Sequence, residues 1–268
     1  MPARPSHRPS NRPQVVAHRG SSDANAEHTL GAYLAALDEG AEALECDVRL
    51  TADGHLVCVH DRDLRRTASS SGIVSTMPLA ALDELDFASW KSPWAELDDD
   101  ADEADPELTR VLTLRRLFET VADYPRPVDL AIETKHPTRY GGLVEKRLVE
   151  LLAQFGWLGR NSPARVMSFS WVALKRMERL APDLDVVFLM HSPGEWLRAR
   201  PVARKDWIAG PGIALLREHP RIIAKIAERS RVHCWTVNTV EEIELCRNLS
   251  VEAVITDRPG ATMRYLTR

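Results

Sequence analysis

Short apolar runs alternate along this chain with longer amphipathic stretches, and that alternation sets the first expectation. The runs VVAH, ALECDVRL, HLVCVH, VDLAIET, ARVMSF, DVVFLM, WIAGPGIAL, RVHCWTV and EAVITD read as strands. Between them, TLGAYLAALDEG, TLRRLFETVADY, GGLVEKRLVELLAQFG, SWVALKRMERLA, EHPRIIAKIAERS and TVEEIELCRN carry helical spacing. Several open on Ser or Thr, the residues that cap a helix N-terminus, and Gly40 marks the end of the first. Strand and helix in strict alternation predict β-α units around a parallel sheet.

A closed β/α barrel needs eight strands, and one run here is in excess. ALECDVRL and HLVCVH are separated by little more than Thr51-Ala52-Asp53-Gly54. A parallel crossover needs a dozen or more residues, whereas Asp-Gly is a hairpin signal. The two runs therefore predict an antiparallel arm on the barrel rim, with Asp47 falling opposite His60 if Asp53 and Gly54 form the loop. From residue 61 to about 110 the alternation lapses. LAALDELDF reads as a short helix, then come Trp90 and Trp94 and the acidic run ELDDDADEADPE. Fifty residues without strong strand pattern predict a small insertion after the third strand rather than a plain loop. Trp90 and Trp94 either wall a substrate entrance or form the insertion's own core, and with Phe87 they would be the apolar entrance that a lipid substrate needs. Eight carboxylates in twelve residues, with no turn-forming ligand pattern, read as a solvated loop.

Composition narrows the class. With 268 residues, 44% hydrophobic and 28% charged, the chain suits one large barrel domain, and a net charge of −4 gives no bulk pull toward nucleic acid. Its apolar runs are too short to span a bilayer. The first 13 residues are basic with proline at every fourth position, and they predict a disordered tail ahead of a domain at 14–268. That tail has no apolar core of a secretory signal. Four cysteines (Cys46, Cys58, Cys234, Cys246) without C-x-x-C spacing are expected to be reduced in a cytoplasmic protein.

The chemistry concentrates at the C-terminal ends of the predicted strands, where barrels carry their active sites. The first strand ends in His18-Arg19. The second carries Glu45 and Asp47, two apart and so on one face. The hairpin return ends in His60-Asp61, VDLAIET delivers Glu133 and then Lys135, and Trp235 and Phe169 sit near other strand ends. Three buried carboxylates at one point repel unless a hard divalent cation compensates them, and oxygen ligands suit Mg²⁺ or Ca²⁺. Structural ion pairs with Arg49, Lys135 or Arg19 explain the same spacing equally well. Two histidines beside such a metal, with Arg19 and Lys135, suit phosphoryl chemistry. Cations neutralise the non-bridging oxygens while one histidine removes a proton and the other donates one.

The order HRG, AEHT, ECDVRLTADGHLVCVHD, IETK, then CWTVN with AVITDRPG resembles the glycerophosphodiester phosphodiesterase family from Val15 to Gly260, most closely its actinobacterial, cytoplasmic-type branch. The resemblance implies a distorted (β/α)8 TIM barrel. It implies His18 and His60 as the acid/base pair and Glu45, Asp47 and Glu133 as metal ligands. Arg19 and Lys135 would lie at the phosphate, with Glu27 as a buttress of the site. Phe169 and Trp235 are candidates to line the alcohol or glycerol pocket, with core packing an equal reading, whereas Trp171 reads as a packing residue on a helix face. The family's Pro-Glu-Asn-Thr is here Ala26-Glu27-His28-Thr29, so the local loop geometry is expected to differ.

The implied reaction is metal-dependent hydrolysis of a glycerophosphodiester to sn-glycerol 3-phosphate and an alcohol. The expected partner is that small molecule alone, without nucleic acid or stable membrane insertion, and a homodimer is compatible with the sequence. Two alternatives stand beside it: a lysophospholipase D-like activity on lipid substrates, and a non-catalytic barrel that binds phosphodiesters.

Overall fold

The computed structural model describes residues 12–91, 105–203 and 206–268. The predicted acidic loop lies mostly outside these residues, as do Trp94 and all of the predicted N-terminal tail but Arg12 and Pro13. Eight parallel strands form a nearly closed barrel: β1 (Gln14–His18), β2 (Ala43–Leu50), β4 (Asp129–Thr134), β5 (Ala164–Ser168), β6 (Asp185–Met190), β7 (Ile208–Pro211), β8 (His233–Cys234) and β9 (Ala253–Thr256). Around the barrel they run β7-β6-β5-β4-β2-β1-β9-β8. Isolated parallel bridges, Ala209 to Val232 and Gly212 to Trp235, join β7 to β8 across the remaining gap. The distortion lies at that seam. Only two residues of RVHCWTV pair as a regular strand, and WIAGPGIAL stops at Pro211 because Ile213 already begins a helix.

The ninth run is the predicted antiparallel arm. β3 (Leu56–Cys58) pairs with β2 through Leu50–Leu56 and Val48–Cys58, around a turn that holds Gly54 at φ +87°. This register is one residue from the sequence expectation: the Val59 N–H donates to the Asp47 carbonyl, so Val59 and not His60 stands opposite Asp47. The loop takes one residue more than the tightest Asp-Gly hairpin, with the His55 N–H closing on the Thr51 side chain.

Helices follow the strands: α1 (Leu30–Asp38) after β1; α2 (Arg65–Ala68), α3 (Leu79–Asp83), α4 (Pro106–Thr109) and α5 (Leu114–Asp123) between β3 and β4; α6 (Leu143–Gln154) after β4. Then come α7 (Trp171–Leu180), α8 (Pro193–Ala199), α9 (Ile213–Glu218), α10 (Pro220–Ala227), α11 (Val240–Asn248) and α12 (Pro259–Leu266). Thr29, Thr113, Ser170 and Thr239 accept from backbone N–H groups at the N-termini of α1, α5, α7 and α11, which meets donors that would otherwise be orphaned.

Alternation along the strands divides the core in two. Val16, Ala43, Ala131, Met167, Val187, Ile208 and Ile255 fill the barrel interior. Residues such as Leu44, Ile132, Val166 and Val254 face the helices in a larger outer layer. A third, smaller cluster packs Leu64, Val74, Leu82 and Phe87 against Val57 and Val59. Phe87 therefore belongs to a local core of the inserted segment and not to an apolar entrance. No helix among the described residues is long and apolar enough to cross a membrane.

Candidate active site

Two consecutive residues in left-handed backbone, Arg19 at φ +58° and Gly20 at φ +88°, turn the chain sharply as it leaves β1. A Cβ on Gly20 would lie 2.6 Å from the backbone carbon of Ala32, so the turn also requires close approach to α1. The turn leaves His18 and Arg19 at the rim of the barrel. There a cavity of about 240 Å³ is bounded on the β1, β2 and β4 side by His18, Arg19, Glu45, Glu133 and Lys135, with His60 arriving from the hairpin arm. Strands β5, β6 and β8 supply the other half of its wall through Phe169, His191 and Trp235.

The parallel register brings Asp47 beside Glu133 and His18 beside Glu45. Carboxylate oxygens of Glu45, Asp47 and Glu133 all lie within 4.8 Å of one another, and all three side chains are buried. Lys135 Nζ sits 2.9 Å from Asp47 Oδ1 and 2.8 Å from Glu133 Oε1, and Arg19 Nε lies 3.1 Å from Asp47 Oδ2. Arg49 touches none of these carboxylates directly: its guanidinium donates twice to the His60 carbonyl and pins the hairpin arm, while Asp47 and Glu133 act on it only through space.

These contacts divide the carboxylates. Asp47, with Lys135, His28 and Arg19 around it, is held well below the usual carboxylate range despite its burial. Burial and the neighbouring Asp47 push Glu45 well up and raise Glu133 to about 8. Two carboxyls held up against ionisation beside a third show that Lys135 and Arg19 do not supply enough positive charge for all three to ionise together. A hard divalent cation relieves that condition, so the donor set fits one.

Each histidine is anchored through Nδ1. His18 Nδ1 lies 2.6 Å from Asp257 Oδ1, and His60 Nδ1 lies 2.7 Å from Asp61 Oδ1. Asp257 is itself fixed by the Asn238 amide and the Ser22 hydroxyl, and with His18 these hold it down to about 2. Burial lowers His60 from the ordinary histidine range. With Nδ1 committed in both rings, Nε2 is the nitrogen left for proton transfer.

Glu27 stands outside the cavity wall. Its carboxylate accepts from Arg19 Nη1 at 3.0 Å and from Arg66 Nη1 and Nη2 at 2.7 Å each. Phe169 and Trp235 both reach the cavity and meet edge to face at 5.4 Å. His191, which sequence reasoning missed, stacks on Phe169 with ring centroids 4.7 Å apart. Trp171 is 45% exposed at the start of α7 and does not pack as expected, because that end of the helix faces solvent. Asp257, Arg66 and His191 were passed over in the sequence, and His28 stood there only as a departure from the family's Asn. The signals available for them were the Asp in AVITDRPG, the Arg five residues after Asp61, and the His where relatives carry Asn.

Comparison with known proteins gives the family. The family model described as "Glycerophosphoryl diester phosphodiesterase family" matches residues 18–261. A Mycobacterium tuberculosis protein described as "Probable glycerophosphodiester phosphodiesterase 1" is 46% identical over 259 residues, which is 95% of this chain and 92% of that protein. A Bacillus subtilis glycerophosphodiester phosphodiesterase is 31% identical over 257 residues, covering 91% of this chain and 83% of its own. Among solved structures, an Oleispira antarctica phosphodiesterase in complex with the product sn-glycerol-3-phosphate superposes with a TM-score of 0.79 at 26% identity, covering 96% of this chain and 98% of that one. The chain belongs to the glycerophosphoryl diester phosphodiesterase family of enzymes.

Proposed function

We propose that this barrel, acting over residues 14–268 with the 61–110 segment as its inserted cover, hydrolyses glycerophosphodiesters to sn-glycerol 3-phosphate and an alcohol. One observation supports this above the others: two Nδ1-anchored histidines line the same small cavity as Glu45 and Glu133, which with Asp47 behind them form a buried three-carboxylate cluster. Glu45, Asp47 and Glu133 would hold a divalent cation, Mg²⁺ or Ca²⁺, which when bound supplies positive charge to the phosphodiester oxygens. Arg19 and Lys135 add fixed positive charge at the same wall. Arg19 can present two N–H groups to phosphate oxygens, and Lys135 acts as a point charge.

Of the two histidines, one removes through Nε2 the proton of the nucleophile, either water or the glycerol 2-hydroxyl on the way to a cyclic phosphate that water then opens, and the other returns a proton to the leaving alkoxide. The carboxylates of Asp61 and Asp257 keep each ring in the required orientation and tautomer. The three rings of Phe169, His191 and Trp235 offer an apolar wall for the carbon skeleton of the glycerol or the alcohol.

The test is release of glycerol 3-phosphate from glycerophosphocholine with Mg²⁺ or Ca²⁺, against the same reaction in EDTA. Turnover that needs the cation is the expected result. Absence of turnover with any glycerophosphodiester under either condition overturns the reading in favour of a binding protein. A parallel assay on a lysophospholipid decides substrate class, and strong preference for the lipid replaces the small-molecule reading.

A further inference from the structure

Arg66 does not line the cavity, yet it joins two of its parts. It lies on α2, the four-residue helix that follows the hairpin arm, between the buried Leu64 and Thr67. Two edges of its guanidinium are used in different directions. Nη1 and Nη2 grip both Glu27 oxygens at 2.7 Å, and Nε donates to Asp61 Oδ2 at 2.7 Å. Beyond Glu27 lies Arg19, at 3.0 Å; beyond Asp61 lies His60, at 2.7 Å. Trp90 packs against the guanidinium, whose central carbon is 5.5 Å from the ring, and neighbouring Lys91 donates to the Ser22 carbonyl on the β1–α1 loop.

Stability alone gives a weak reason for this arrangement. The Arg66 side chain is 41% exposed, and half-exposed ion pairs contribute little to folding. What a planar, bidentate guanidinium supplies is geometry, since it fixes two carboxylates relative to each other in one plane. Those two carboxylates are the partners of the arginine and of one histidine at the cavity wall.

We propose that Arg66 is a positioning residue that sets Arg19 and His60 in register through Glu27 and Asp61. This rests on the phosphodiesterase reading of the site. It assigns the inserted segment a part in the reaction beyond covering the substrate: docking of α2 on the rim aligns the phosphate-gripping arm with the acid/base group.

The experiment compares Arg66→Ala, Arg66→Lys and wild type, each loaded with the activating cation. Arg66→Ala is expected to lose roughly 10–100-fold in kcat/KM on glycerophosphocholine, the scale of supporting-shell losses, with its melting temperature and cation affinity close to wild type. Arg66→Lys keeps the charge without the fork and is expected to recover little. Guanidinium ion at non-denaturing concentration is expected to restore part of the Arg66→Ala activity, where equal ionic strength of sodium chloride does not.

Wild-type turnover in Arg66→Ala, full recovery by Arg66→Lys, or equal rescue by sodium chloride overturns the positioning role while the phosphodiesterase reading stands. A wild-type protein without turnover overturns that reading itself. In that event crystal structures still decide the positioning claim: Arg19 and His60 in unchanged rotamers in Arg66→Ala overturn it.

Discussion

His28 Nε2 lies 2.9 Å from Asp47 Oδ2, and the same ring's Nδ1 lies 2.8 Å from the Tyr33 hydroxyl. Burial keeps this imidazole below the ordinary histidine range. A neutral ring can serve Asp47 only by donating from Nε2, while the Tyr33 hydroxyl beside Nδ1 gives its single proton to the Glu45 carbonyl at 3.0 Å. His28 also sits at φ +62°, a conformation that Asn tolerates and most other residues resist. Asn at this position can meet both demands. His28→Asn is therefore expected to retain most activity and stability. His28→Ala leaves the Asp47 carboxylate short of a buried donor and is expected to cost about 1–3 kcal/mol. Thermal melts and divalent-cation titrations of the two variants check this; equal behaviour of both removes the role assigned to the ring.

Removing either histidine that faces the cavity is expected to affect proton transfer and not the carboxylate cluster. His18→Ala and His60→Ala should each lower kcat by ~10²–10⁴-fold, with cation affinity near wild type. Steady-state kinetics and calorimetric titration with Mg²⁺ or Ca²⁺ separate the two effects. Near-normal turnover in His60→Ala would show that the acid/base pair is assigned wrongly.

The carboxylate cluster is expected to respond in the opposite way. Glu133→Gln keeps the shape of the side chain and loses the charge, so cation affinity should fall while saturating cation restores part of the activity. Activity measured across a cation series shows this as a shifted midpoint. A loss of kcat that no concentration repairs argues for a different role.

Asp257 links the site to acid stability. Its partners, His18 first, hold its carboxyl at about 2 against an ordinary 3.8. A carboxyl depressed in the folded state contributes stability that is fully present above its unfolded value and is lost as pH falls through the folded one. The window is pH 4 down to about 2, and the contribution is up to about 2 kcal/mol. Asp257→Asn should be less stable than wild type near neutral pH and equal to it near pH 2. Denaturant melts between those limits measure it, and a difference independent of pH excludes the linkage.

Much of the barrel was legible because its signals are local. Strand period, helix period and capping residues depend on neighbours a few positions apart, so β1, β6, α1, α5 and α11 could be placed from the pattern alone. The same holds for Glu45 and Asp47, whose two-residue spacing puts both on one face of β2 whatever the strand packs against. The hairpin register was missed by one residue because it depends on how the turn closes on Thr51, which no periodicity encodes. β8 was overestimated because RVHCWTV has the composition of a strand while the seam gives it only isolated bridges to β7.

The sequence by itself determined which chemical groups stand at strand ends, since a buried parallel strand is apolar except where it emerges. It could not determine their partners. His18 finds Asp257 at a separation of 239 residues and Glu27 finds Arg66 at 39. Those pairings exist because a closed barrel brings its first and last strands side by side and because the inserted segment folds back onto the rim. Side chains that orient a reactive group from behind carry no period and no spacing. Only the closure of the sheet decides which of the chain's carboxylates and guanidinium groups come to stand there.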